Sequence, residues 1–107
     1  MAVYFIGDRM MDTQKLTRRL NSIGKAAFIK HFFDFKAYAS GQILKEACID
    51  RIILAKTSNW DGASIRCSNA KLIFEANMQN KALEIVVNAK RVPNDIIQKA
   101  KNLLGKS

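Results

Sequence analysis

Apolar residues recur at intervals of three and four positions along most of this chain, and this spacing limits the possible folds more than any other feature. Two series show it: Leu16, Leu20, Ile23, Ala27, and then Ala63, Cys67, Ala70, Phe74, Met78. In an α-helix such a series lies on one face. The strict alternation typical of a strand is confined to residues 3–6 and, doubtfully, 84–87. The sequence therefore predicts an all-α protein.

The chain length and its helix-breaking residues predict one compact bundle. A chain of 107 residues corresponds to a single domain with one core. Breaks around Ser40-Gly41, residues 57–62 and Pro93 divide it into five to six short helices, and Gly24 would bend or split the first one. We expect residues 12–107 to form this helical domain and residues 1–11 to form an N-terminal arm, whose order the sequence leaves open.

An aromatic cluster between residues 28 and 38 is predicted to form the centre of the core. Phe28, Phe32 and Phe35 follow helical spacing, with lysines between them. Aromatic rings on an open surface can stack against nucleic-acid bases, but a phenylalanine series with helical period is more typical of a buried face. We expect these residues to be buried together: Phe28, Phe32, Ile52, Phe74, Val86 and Leu103.

The next predicted helix, from about residue 43 to 56, is apolar over most of its circumference. Ile43, Leu44 and Ile52 lie on its buried side, and Ile53 and Leu54 widen it. A helix of this kind is normally surrounded by others. We therefore expect it to be the central helix and not the helix that contacts a ligand.

A polar turn at residues 57–62 separates this helix from the next, which begins with Asp61 or Ser64 as its cap. Two helices joined by such a turn loosely match a helix-turn-helix unit, although the turn is longer than the usual three or four residues. The second helix carries small, basic and amide-bearing residues opposite its apolar face. They are Ser64, Arg66, Ser68, Asn69 and Lys71.

These residue types suit contact with duplex DNA. The Arg66 guanidinium could recognise guanine and the Asn69 amide could recognise adenine, because their paired groups match the major-groove edges of those bases. Ser64, Ser68 and Lys71 would bind phosphates, as would the helix N-terminus at residues 62–64.

The charge of the chain favours an anionic partner. The chain contains 18 Lys and Arg residues but only 9 Asp and Glu residues, which gives a net charge of +9. Such a charge raises the local concentration of polyanions. Its excess lies towards the two ends of the chain, where Arg18, Arg19, Lys90 and Arg91 are candidate clamps for the nucleic-acid backbone.

The sequence shows no catalytic, metal-binding or cofactor-binding signature. It contains one histidine, His31, and its two cysteines, Cys48 and Cys67, lack the spacing of a zinc or redox motif. We expect a protein that is not an enzyme, with both cysteines as buried free thiols. The apolar stretch at residues 3–6 is too short for a signal peptide or membrane span, so we expect no membrane association and a cytoplasmic location.

The sequence is compatible with two other interpretations of the protein. The polar residues of the helix after the turn are also typical of the solvated face of an ordinary bundle helix. The protein could instead be an interaction module or a small structural adaptor, with Trp60 and residues 3–6 as its contacts. Homodimerisation is compatible with DNA binding through paired half-sites.

Overall fold

The computed structural model describes residues 11–55 and 59–106, and within them it contains seven α-helices and no strand. The helices are α1 (Thr13–Ile23), α2 (Lys25–Lys30), α3 (Phe32–Ala39), α4 (Lys45–Leu54), α5 (Trp60–Glu75), α6 (Gln79–Val87) and α7 (Asn94–Lys106). The all-α class is confirmed, whereas the predicted number of five to six helices is too low. The predicted contact at residues 3–6 lies outside the described residues, as do positions 56–58.

The extra helix arises because the first long helical pattern is broken twice. Asp12 caps α1 by accepting a hydrogen bond from the Lys15 amide at 2.7 Å. Gly24 then ends α1 with φ at 92°, a conformation that favours glycine. The second break falls at His31, between α2 and α3, where the sequence gives no glycine or proline signal.

The central helix is α5, and the prediction that the helix before the turn would be central is wrong. Among the described residues, α5 packs closely against α1, α3 and α4, whereas the main neighbours of α4 are α3 and α5. The small residues Ala63, Cys67 and Ala70 of α5 are completely buried, which lets neighbouring helices approach closely. The wide apolar face of α4 is partly unused, since Leu54 at its end is 80% exposed.

The predicted aromatic centre of the core is present. The Phe28 ring is completely buried, with its centroid 5.6 Å from that of Phe32 and 6.0 Å from that of Phe74. Phe74 itself is only partly buried and packs against the edge of the core. The other five residues of the predicted set are buried: Phe28, Phe32, Ile52, Val86 and Leu103.

The last two helices pack against each other and against the first helices of the chain. α6 and α7 pack against each other, α6 also contacts α1, and α7 contacts α2. Met11 packs against this core, although the sequence placed it in the arm. Across the described residues, no helix is both long and apolar enough to cross a membrane.

The start of α5 differs from the prediction. Asn59 caps the helix by accepting a hydrogen bond from the Gly62 amide at 2.8 Å, so neither Asp61 nor Ser64 is the cap. Trp60, Asp61 and Gly62 therefore belong to the first helical turn. The helix N-terminus that was predicted at residues 62–64 lies at residues 60–62.

Candidate nucleic-acid interface

Arg66, the predicted guanine-contacting residue, is directed towards α1. Its guanidinium donates a hydrogen bond to the carbonyl of Ile23, the last residue of α1. A cation at a helix C-terminus is favourable because the last carbonyls are unpaired and the helix dipole is negative there. In this structure the Arg66 side chain therefore joins α5 to α1 and does not extend into solvent.

Asn69 also faces α1, one turn further along α5. Its side-chain oxygen accepts a hydrogen bond from the Arg19 guanidinium at 3.0 Å, and its amide donates to the Ile65 carbonyl at 2.9 Å. Arg19 pairs with Asn69 and Arg66 with Ile23, so α1 and α5 run antiparallel. The Asn69 amide is held by these contacts at the boundary between the two helices.

The remaining predicted residues of α5 flank its other side. The Lys45 ammonium donates a hydrogen bond to the Ser68 hydroxyl at 2.8 Å. The Lys71 ammonium lies 5.1 Å from the centre of the Tyr38 ring, within range of a cation–π interaction. Ser64 is half-buried. The polar side of α5 thus forms much of its contact with neighbouring helices.

A basic cleft lies between α1 and α5, with a volume of about 210 Å³. Three cations, one hydroxyl and one amide line it: Lys15, Arg18, Arg19, Ser22 and Asn69. No carboxylate is among these lining residues, and the Lys15 and Arg18 side chains have no ion pair within the described part of the chain. We call this feature the α1–α5 cleft, and its chemistry suits a phosphate group.

The outer side of α1 extends this cleft. Its exposed residues are Gln14, Lys15, Arg18, Asn21 and Ser22, which we call the α1 face. The opposite side, with Leu16, Leu20 and Ile23, is completely buried. α1 contains no acidic residue. The helix therefore presents amides, cations and a hydroxyl to solvent on one continuous side.

Lys90 and Arg91 lie in a different cleft. This second cleft has a volume of about 1000 Å³ and lies between α1 with the start of α2 on one side and α6 with the connection from α6 to α7 on the other. Thr17 and Asn21 of α1 contribute to it, so it borders the side of α1 opposite Arg19 and Asn69. We call it the α1–α6 cleft. α1 is thus a ridge with a basic cleft on each side.

The structure therefore brings together only part of the predicted site. Arg18, Arg19 and Asn69 share the α1–α5 cleft, whereas Arg66 is engaged with α1. Sequence reasoning missed Lys15 and Ser22. The spacing of Lys15, Arg18 and Ser22 at i, i+3 and i+7 was the available signal, since such residues share a helix face.

Few of the cations among the described residues are neutralised by ion pairs. The Arg51 guanidinium pairs with Asp34 at 2.8 Å, and His31 lies 3.7 Å from the same carboxylate, with which it forms an ion pair only when protonated. Burial lowers the pKa of His31, and the neighbouring Asp34 carboxylate opposes that effect. His31 also packs against the Phe35 ring, so it lies within the core and away from the basic clefts.

The two cysteines meet between α4 and α5. Both are free and completely buried, as predicted, and the Cys67 and Cys48 sulfur atoms are 3.2 Å apart. The hydrogen bond to Cys67, together with burial, raises the pKa of Cys48. In the part of the chain that the structure describes, no cluster of three or more His, Cys, Asp or Glu residues could hold a metal ion.

Comparison with known proteins finds no matching family model, and no curated protein or solved structure matches this chain significantly.

Proposed function

We propose that the protein binds duplex DNA without catalysis or cofactor, and that α1 rather than α5 is the helix that contacts it. The observation that carries this proposal is the convergence of Lys15, Arg18 and Arg19 on a cleft with no carboxylate in its lining. Proteins that bind nucleic acid obtain much of their affinity from cations that neutralise backbone phosphates. The three cations would bind these phosphates, with Arg19 held in place by Asn69.

The α1 face has the dimensions and chemistry for contact with a groove. The 11 residues of α1 span about 16 Å at the usual helical rise of 1.5 Å per residue. The major groove is about 12 Å wide and admits an α-helix. Gln14 and Asn21 carry amides of the kind that bind adenine. These two residues replace Asn69 and Arg66 as the candidates for base contacts.

Charge reversal on α1 tests the proposal. We expect Lys15→Glu with Arg18→Glu to abolish binding of a mixed-sequence 20-base-pair duplex, measured by fluorescence anisotropy at about 50 mM salt. The matched control is Lys99→Glu with Lys101→Glu on α7, which changes the net charge equally at exposed positions outside both clefts. Equal weakening by the two double variants would show that the attraction is unspecific, and would contradict the proposed site.

Two exposed apolar residues, at the end of α4 and at the start of α5, favour a second candidate, a protein-interaction module. Leu54 at the end of α4 is 80% exposed, and Trp60 at the start of α5 is 57% exposed. Tryptophan is enriched among the residues that dominate the binding energy of protein interfaces. The exposed Leu54 side chain adds apolar surface close to it in sequence. Light scattering of the native protein and of Leu54→Ser with Trp60→Ser tests self-association. If the native protein is a dimer and the variant is a monomer, this function is favoured. If both are monomers, the exposed apolar residues do not mediate homodimerisation.

A further inference from the structure

The α1–α6 cleft is a concave surface that shares only Asn21 with the surface of the DNA-binding proposal. Its volume of about 1000 Å³ is at the upper end of the range for ligand sites in proteins. It is formed by α1, the start of α2, α6 and the connection between α6 and α7. Its lining has a distinct chemistry on its floor and on its rim.

The floor of the cleft is aliphatic. Ala26, Ile85 and Val92 are partly buried there and pack against the core, and Ala89 and Pro93 also line the cleft. No aromatic residue lines the cleft among the described residues. Binding of an unstacked nucleic-acid base usually depends on aromatic stacking. The floor therefore suits an aliphatic side chain better than a base.

The rim of the cleft is basic. Four cations and one carboxylate line it: Lys25, Lys81, Lys90, Arg91 and Glu84. Lys25 donates a hydrogen bond to Asn21 at 2.9 Å. The other three cations form no ion pair or side-chain hydrogen bond within the described residues. The rim is therefore complementary to a ligand with several negative charges.

The connection between α6 and α7 also offers backbone donors. The amides of Lys90, Arg91 and Val92 have no hydrogen-bond partner in the part of the chain that the structure describes. Residues 90–92 form a bend. Their unpaired amides can donate hydrogen bonds to the oxygen atoms of a ligand, and such bonds are strongest to carboxylates.

We infer that the α1–α6 cleft binds an extended acidic peptide segment of a partner protein, with an aliphatic side chain of that peptide on the floor. The partner's carboxylates lie against the four cations of the rim, and its oxygen atoms accept hydrogen bonds from the unpaired amides of residues 90–92. This inference does not rest on the DNA-binding proposal, because it concerns a different ligand and a cleft that shares only Asn21 with the α1 face. It would give the protein two anionic partners on neighbouring surfaces.

Peptide binding to the full-length protein tests the inference. The probe is a fluorescent ten-residue peptide of Glu residues with two central Leu residues, measured by anisotropy at about 50 mM salt. Two matched peptides serve as controls: one has Gln at every Glu position and the other has Ser at both Leu positions. We expect binding of the first peptide and weaker binding of both controls. Absence of binding, or equal binding of the peptide without Leu, would overturn the inference.

A second arm locates the site. Lys90→Glu with Arg91→Glu should weaken peptide binding by about tenfold or more, whereas Lys99→Glu with Lys101→Glu should leave it nearly unchanged. Circular dichroism confirms that each variant is folded. Binding of the duplex is measured in parallel, and Lys90→Glu with Arg91→Glu should largely retain it. Loss of duplex binding with unchanged peptide binding would assign the cleft to the nucleic acid and overturn the inference.

Discussion

Replacement of Arg66 by Ala distinguishes a structural role for this residue from a DNA-reading role. In the structure its guanidinium bonds to the Ile23 carbonyl at the C-terminus of α1. A hydrogen bond from a charged donor contributes about 1.5–3 kcal/mol, and a cation at a helix C-terminus contributes about 0.3–1 kcal/mol. These contributions overlap, so we expect Arg66→Ala to lower the free energy of unfolding by about 2–3 kcal/mol.

Urea unfolding followed by circular dichroism measures this loss. The matched control is Arg18→Ala, which removes an exposed guanidinium that has no side-chain partner within the described residues. That change should alter the free energy of unfolding by less than about 0.5 kcal/mol, as is usual for surface positions. Arg66→Lys keeps the positive charge but not the planar guanidinium. Its free energy of unfolding should therefore lie between those of the wild type and Arg66→Ala.

For DNA binding we expect the opposite order: Arg18→Ala should have the larger effect and Arg66→Ala the smaller one. Arg18→Ala should weaken duplex binding, whereas Arg66→Ala should leave the affinity of the folded protein nearly unchanged. If Arg66→Ala lost base preference while its free energy of unfolding changed by less than about 0.5 kcal/mol, that result would refute this reasoning. The DNA contact would then belong to α5.

Three further predictions concern the core. Phe32→Ala should lower the free energy of unfolding by about 3–5 kcal/mol in urea denaturation, because Phe32 is only 7% exposed. The control Phe33→Ala should lower it by less than about 1 kcal/mol, because Phe33 is 59% exposed. Similar losses in the two variants would contradict the core assignment. Stability should fall as the pH is lowered below 6.5, the usual pKa of histidine, because His31 has a lowered pKa and the unfolded chain therefore binds more protons in that range. The slope attributable to His31 cannot exceed about 1.4 kcal/mol per pH unit, and it should disappear in His31→Gln; an unchanged slope in that variant would assign the effect to another group. Cys48 and Cys67 should resist a thiol-specific maleimide in the native protein and react at the rate of unfolding, and rapid labelling followed by mass spectrometry would contradict their complete burial.

The helical period of the apolar residues was enough to predict the fold class and most of the core. Leu16, Leu20 and Ile23 show why, since a fully buried stripe leaves a clear spacing of three and four. The identity of the central helix was not predictable in the same way. The width of an apolar face does not decide which helix is surrounded, and the small residues of α5 allowed its neighbours to approach closely. The break at His31 has no local signal in the sequence.

The candidate site was only partly predictable, for a related reason. The sequence shows that Arg66 lies off the apolar stripe, but not that its long side chain reaches the end of another helix. Arg18 and Arg19 were noticed because they are adjacent, yet adjacent helical residues differ in direction by about 100°. Arg18 is accordingly exposed, whereas Arg19 is half-buried against Asn69. Lys15 and Ser22 share a face with Arg18, and that face could have been found from helical spacing.

The salt dependence of duplex binding tests the central claim most directly. The logarithm of the binding constant falls linearly with the logarithm of the salt concentration, with a slope of about 0.9 for each phosphate neutralised. For the native protein between about 50 and 200 mM salt, we predict a slope that corresponds to at least three phosphates, one for each cation of the α1–α5 cleft. Lys15→Ala with Arg18→Ala should reduce the slope by about two units, and Lys99→Ala with Lys101→Ala should leave it unchanged. No measurable duplex binding at about 50 mM salt, or the same slope in all three proteins, would contradict the assignment of α1 as the DNA-binding helix.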